Sequence, residues 1–181
     1  GVFENYKTTE TKVFVISRLR NDLTEFISFL QENINNKEWH ISYNGLAFDA
    51  QVTHYILDNE RKWVDLDGHK TAHIIYQYAQ LCISKSNNKE FSDYPQWKMQ
   101  IGQIDLFKMH HWDNPAKRSS LKWIQYSMDW QNILDMPIHH KTKIASKEDL
   151  DTILEYCVND VKSTKEIFNR SKELIKLRTE L

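Results

Sequence analysis

The sequence predicts a mixed α/β protein in which helices flank a central mixed β-sheet. Three short segments rich in apolar and β-branched residues, Lys12–Ile16, Trp39–Tyr43 and Gln100–Phe107, have the pattern of strands. Apolar residues at helical spacing lie between these segments. The chain has only four glycines and three prolines, which favours few tight turns and much helix. Strands separated by helices indicate a layered α/β architecture.

The first half of the chain alternates strand and helix. After the strand Lys12–Ile16, Asn21 and Asp22 are suited to cap a helix, which the cluster Asn33–Asn36 ends. Trp39–Tyr43 then forms the second strand, and Gly45 marks a sharp turn from strand to helix. Two further helices are predicted by the apolar residues Val52, Tyr55, Ile56, Ala72, Ile75, Tyr76 and Ala79.

The second half begins with a polar loop over Lys85–Tyr94 and the strand Gln100–Phe107. A helix starts at Ser119 or Ser120, and Ser146 and Asp149 resemble a capping box at the start of another. We expect that helix to end near Cys157. A further helix, capped by Asn159 or Asp160, is expected to run to the end of the chain.

Composition limits the classes of protein to which the chain can belong. Its 181 residues fit one domain, 1–181. Hydrophobic residues make up 40% and charged residues 27%, a balance typical of folded domains. No apolar run is long enough to span a membrane. Only Cys82 and Cys157 are present, too few for a disulfide framework, so a reducing cytoplasm is the expected location.

Three side chains have the chemistry of a metal-dependent nuclease. Asp49 follows a strand and a turn at the start of a helix, and Tyr156 precedes Asp160 by four residues. Residues at that spacing share a helix face about 6 Å apart. Two-metal phosphodiester cleavage uses carboxylates around hard cations such as Mg²⁺. Each residue also has a structural interpretation: a helix cap for either aspartate, and packing for the tyrosine.

Two motifs carry a resemblance to a known family. Asn44-Gly45-Leu46-Ala47-Phe48-Asp49 resembles the second motif, and Tyr156-x-x-x-Asp160 the third motif, of the DnaQ-like 3′–5′ exonucleases in the ribonuclease H-like superfamily. The tyrosine points to the tyrosine subclass, and the chain looks like the proofreading domain of phage or family B-type DNA polymerases. The resemblance implies a ribonuclease H-like fold.

The resemblance also implies roles for individual residues. Asp49 and Asp160 would bind Mg²⁺ or Mn²⁺ in a two-metal site, and Tyr156 would orient the attacking water. Asn44 and Phe48 would line the path of the DNA 3′ end. The implied partners are a single-stranded or frayed DNA 3′ end and a polymerase domain in the same or a partner chain. The resemblance further implies that the domain 1–181 is a fragment or module of a larger polymerase-like protein in the cytoplasm of a bacterium or of a phage-infected cell.

Basic residues in two loops are candidates for contacts with phosphate groups. They are Lys117, Arg118, Lys122 and Lys143. Lysine and arginine bind nucleic-acid backbones through charge, independently of base sequence. A solvated surface is the alternative interpretation. With a net charge of −1, the chain as a whole gives no signal for nucleic-acid binding, so any such binding must come from local patches.

The sequence departs from the family pattern in its first motif. No Asp-x-Glu stands ahead of Asn44, and Glu4 is a single carboxylate that could replace only one of the two acids. The chain could begin just after the motif, have had its acids replaced, or belong to a degenerate homologue. The expected function is a metal-dependent 3′–5′ exonuclease that edits DNA ends. The alternatives are an inactive nucleic-acid-binding or scaffolding domain, and an RNA-directed exonuclease. Asp105, which closes the third strand, is a candidate supporting residue.

Overall fold

The computed structural model describes residues 1–63, 65–111, 119–139 and 142–180. These residues form a mixed α/β structure dominated by helix. Within this described part, no helix has the length and apolar character needed to cross a membrane. The elements in chain order are β1 (Val2–Glu4), β2 (Thr11–Val13), α1 (Leu23–Asn35), β3 (Trp39–Ser42), a 3₁₀ helix (Gly45–Ala47), α2 (Asp49–Trp63), α3 (Gly68–Asn88), a second 3₁₀ helix (Gln96–Lys98), β4 (Gly102–Asp105), α4 (Leu106–His111), α5 (Leu121–Ser127), α6 (Lys147–Arg170) and α7 (Lys172–Glu180).

The chain divides into two compact units. The central unit comprises Phe14–His110, and the terminal unit combines Gly1–Val13 with His111–Leu181. In the central unit the most deeply buried side chains include Leu30, Ile101 and Leu106. In the terminal unit α6 packs against β1.

The strands form two small sheets rather than the predicted central sheet. In the described residues β1 pairs antiparallel with β2, and β3 pairs parallel with β4. The predicted strand Lys12–Ile16 is shorter than expected and ends at Val13. The reason is local, because Val15 bonds to Asp22 instead of to a neighbouring strand. Its N–H donates to the Asp22 carboxylate at 2.8 Å, and its carbonyl accepts from the Asp22 N–H at 2.8 Å.

That use of Asp22 also alters the predicted helix cap. Asp22 occupies the N-cap position of α1, but its side chain makes no capping bond because it is engaged by Val15 and Arg20. The caps predicted at Ser119 or Ser120 and at Ser146 are confirmed at Ser120 and Ser146. The Ser120 hydroxyl accepts from the Trp123 N–H at the start of α5, and Ser146 with Asp149 forms a reciprocal capping box at the start of α6.

Two predicted boundaries are wrong. Helix α3 continues through Asn88, into the segment predicted to be a loop, and stops where Lys89 adopts a left-handed conformation with φ 59°. Helix α6 is continuous from Lys147 to Arg170, so Asn159 and Asp160 do not cap a new helix. Their side chains bond to other parts of the terminal unit instead of to nearby backbone N–H groups, which leaves the helix uninterrupted.

Candidate active site

The Asn44–Asp49 motif lies in the central unit, between β3 and α2. Asn44 leaves the strand in a left-handed conformation with φ 62° and ψ 22°. Gly45 then opens a 3₁₀ turn, and Asp49 is the first residue of α2. A Cβ atom on Gly45 would lie 2.0 Å from Ser42 Oγ. The turn therefore requires glycine because it folds back against the end of its own strand.

Asp105 accepts hydrogen bonds from four backbone N–H groups, two in this loop and two in the first turn of α4. Its Oδ1 accepts from Asn44 at 2.9 Å, and its Oδ2 accepts from Leu46 at 3.0 Å. Oδ1 also accepts from Phe107 at 3.0 Å and Lys108 at 3.4 Å. Asp105 is only 4% exposed and stands opposite Ser42 in the parallel pair. Both of its oxygens are thus engaged by backbone N–H groups, and each holds one residue of the loop.

Gln51 of α2 forms hydrogen bonds with the same loop and with Tyr94. Its Nε2 donates to the carbonyls of Leu46 at 2.9 Å and Tyr94 at 2.8 Å, and its Oε1 accepts from the Tyr94 N–H at 3.0 Å. The side chain is 2% exposed. Sequence analysis missed this residue, because a glutamine one turn into a helix carries no signal of a partner 43 positions away.

Asp49 lies beside the glycine turn. Its Oδ2 would be 3.6 Å from a Cβ atom on Gly45. Burial of the carboxylate raises its pKa, the Asp49 backbone N–H partly offsets this, and the charge of Asp105 raises the pKa further. Asp49 as a whole is an exposed residue, so water moderates the rise. A cation bound close to this carboxylate would lower its pKa and favour its ionised form.

Tyr156 and Asp160 lie on one face of α6 in the terminal unit, as the spacing predicts. Burial raises the pKa of Tyr156 to about 12, with contributions from the Asp160 charge and a hydrogen bond to its carboxylate. Burial also raises the pKa of Asp160, while hydrogen bonds from Gln125 and Tyr156 partly oppose this. At neutral pH the phenol therefore keeps its proton and can orient a polar group through it.

Gln125 of α5 connects Asp160 to the following turn of α6. Its Nε2 donates to Asp160 Oδ1 at 3.1 Å and to Ser163 Oγ at 2.7 Å. The Ser163 hydroxyl donates in turn to the Asp160 carbonyl at 3.0 Å. Next to this network, Trp130 Nε1 donates to Asn159 Oδ1 at 3.1 Å. Gln125, which donates to Asp160 from α5, lies outside both motifs.

The predicted contacts with nucleic acid have different environments. In the central unit Asn44 is exposed and Phe48 is half-buried. In the terminal unit Lys143 is exposed, whereas Lys122 forms an ion pair with Asp135. Lys117 and Arg118 lie outside the described residues.

The carboxylates of the two motifs have the chemistry of ligands for a hard cation. Carboxylate oxygens such as those of Asp49 and Asp160 are preferred ligands of Mg²⁺ and Mn²⁺. Asp49 belongs to the central unit and Asp160 to the terminal unit. Among the described residues, no group of three or more acidic, histidine or cysteine side chains is placed to hold a metal. Glu4, the candidate replacement for a missing acid, forms an ion pair with Lys165.

Three comparisons with known proteins identified no similar protein. A scan against protein-family models, a search of curated proteins and a search of solved structures each found no match.

Proposed function

We propose that the chain is a metal-dependent 3′–5′ exonuclease domain of ribonuclease H-like fold, which removes nucleotides from DNA ends. The observation that carries this proposal is the pair Tyr156 and Asp160. A phenol that keeps its proton interacts with a carboxylate on one helix face, and that carboxylate is held from the other side by buried Gln125. The motif Asn44–Asp49, on its separately braced loop, supports the proposal.

Each residue has a defined task in this proposal. Bound Mg²⁺ or Mn²⁺ would supply the activation of water and the stabilisation of the leaving oxygen. Asp160 in the terminal unit and Asp49 in the central unit each offer carboxylate oxygens to a metal ion, and Tyr156 orients the water without removing its proton. Asn44 and Phe48 contact the terminal nucleotide. Stacking of a base on an aromatic ring contributes about 1–3 kcal/mol and accepts any base, which suits the removal of any 3′ terminus.

The second candidate is a nucleic-acid-binding or scaffolding domain without catalytic activity. One observation favours it: within the described residues no group of three or more potential metal ligands is assembled. Such a domain would bind single strands equally well with a chelator and with Mg²⁺, and it would never shorten them.

A degradation assay with end-labelled single strands separates these functions. We expect stepwise shortening of a 5′-labelled DNA in Mg²⁺ or Mn²⁺ and none with a chelator. Asp160→Asn and Asp49→Asn should each reduce the rate by at least about 100-fold, because each removes an ionised metal ligand. Asp151→Asn is the matched control, an exposed aspartate on the same helix as Asp160.

Each outcome of the degradation assay supports one of the three functions and contradicts another. Wild-type activity that survives Asp160→Asn would refute the catalytic assignment. Binding of the strand without degradation in either metal would favour the non-catalytic domain. A parallel RNA strand tests the third function, since faster shortening of RNA than of DNA would make the enzyme RNA-directed.

A further inference from the structure

We propose that Gln125 is a positioning residue that fixes the Asp160 carboxylate for binding of a divalent cation. This inference rests on the proposed function, because it assigns a metal to Asp160. Its basis is the bond from Gln125 Nε2 to Asp160 Oδ1, made by a side chain that is 1% exposed. Neither sequence motif contains this residue.

The geometry restricts the glutamine to one arrangement. A side-chain amide nitrogen has two N–H donors. One is used by Asp160 Oδ1 at 3.1 Å and the other by Ser163 Oγ at 2.7 Å. The Ser163 hydroxyl donates to the Asp160 backbone carbonyl, so its oxygen faces the amide as an acceptor. Ser163 therefore anchors Gln125, and Gln125 fixes the rotation of the carboxylate.

This arrangement leaves Asp160 capacity to bind a cation. A carboxylate has about four lone-pair positions on two oxygens. In the described terminal unit, Gln125 donates to Oδ1 of the Asp160 carboxylate, and the Tyr156 side chain lies near that carboxylate on the same helix face. Partners of this kind orient metal-binding side chains, and their loss typically reduces metal affinity by about 10–100-fold.

The test is a Mn²⁺ titration of the 181-residue chain, followed by paramagnetic broadening of NMR signals from α6. Gln125→Met keeps the side-chain size and removes both donors. We expect it to raise the apparent Kd for Mn²⁺ at Asp160 by about 10–100-fold. Ser163→Ala removes only the anchor and should give a smaller increase in the same direction. Thr164→Ala is the matched control, because its hydroxyl bonds to the Asp160 carbonyl at 2.8 Å and not to the carboxylate.

The outcomes distinguish the inference from the function on which it rests. If Asp160→Asn abolishes broadening but Gln125→Met and Ser163→Ala bind Mn²⁺ like the wild type, the positioning role is wrong and the metal site stands. If the wild type and Asp160→Asn show the same broadening, no metal binds at Asp160 and both proposals fail. Thermal unfolding of each variant checks its fold, and Ser163→Ala provides the test if Gln125→Met does not fold.

Discussion

Asp105 in the central unit and Asp160 in the terminal unit are two carboxylates used in opposite ways. Asp105 is buried and accepts four backbone N–H groups, so its charge organises a loop. Asp160 is half-buried on a continuous helix and is held by side chains. Backbone donors around a carboxylate build structure, whereas a carboxylate held by one amide keeps lone pairs for a ligand. The comparison predicts that substitution costs much stability at Asp105 and little at Asp160.

The largest effect is expected from Asp105→Ala. The substitution leaves the buried N–H groups of the loop without an acceptor, and we expect a loss of about 3 kcal/mol in the free energy of unfolding. Hydrogen exchange should show faster exchange of the Asn44 and Leu46 amides, which donate to this carboxylate. Asp58→Ala is the control, because that carboxylate is exposed and accepts a hydrogen bond from the Tyr94 hydroxyl at 2.8 Å instead of from backbone N–H groups of the loop. Equal losses for the two variants would contradict the special role of Asp105.

Gly45→Ala should have the next largest effect. The new methyl group would lie 2.0 Å from Ser42 Oγ and 2.5 Å from Ser42 Cβ, so the turn must move. Overpacking of this kind costs about 1–3 kcal/mol, measured here by urea unfolding. The double variant Ser42→Gly/Gly45→Ala removes the collision and should regain part of the loss. If Gly45→Ala alone is as stable as the wild type, the close packing of the turn is refuted.

Local signals in the sequence predicted much of this structure. The caps at Ser120 and Ser146 depend on residues within one turn, and both are confirmed. The start of α2 at Asp49 follows from the strand and Gly45 before it. Strands and breaks were predicted less well, because they depend on distant partners. Val15 bonds to Asp22 instead of extending its strand.

Residues that support the candidate site through distant contacts were also not predicted from the sequence. The motifs supplied Asp49, Tyr156 and Asp160, whose function remains a prediction. They did not supply Gln125, which lies 35 positions before Asp160 and touches it only in the fold. Asn159 and Asp160 had the residue types of helix caps, yet α6 continues through both. Residue type gives the possible bonds of a side chain, and tertiary contacts decide which of them form.

A smaller, pH-dependent effect is expected at Asp49, on the loop that Asp105 holds. Burial raises its pKa in the folded protein, so folding favours the protonated acid. The stability that protonated Asp49 contributes is fully present below its ordinary pKa of 3.8. It is lost as the pH rises through its pKa in the folded protein, about 6. Relative to Asp49→Asn, the wild type should therefore lose stability across this interval. Urea unfolding of both proteins at several pH values measures the difference, and a difference that grows in the wild type's favour would contradict the prediction.

The smallest effect is expected for Asp160→Asn. Burial raises the pKa of Asp160, so its charge is disfavoured in the folded state at neutral pH. Asparagine removes the charge and keeps an oxygen to accept from Gln125, so we expect stability within about 1 kcal/mol of the wild type, on the stabilising side. Urea unfolding followed by tryptophan fluorescence measures this change. A loss as large as that of Asp105→Ala would mean that Asp160 also holds its unit together. A neutral or stabilising result would mean that the chain keeps an unfavourable charge which structure alone does not need, as expected for a ligand-binding residue.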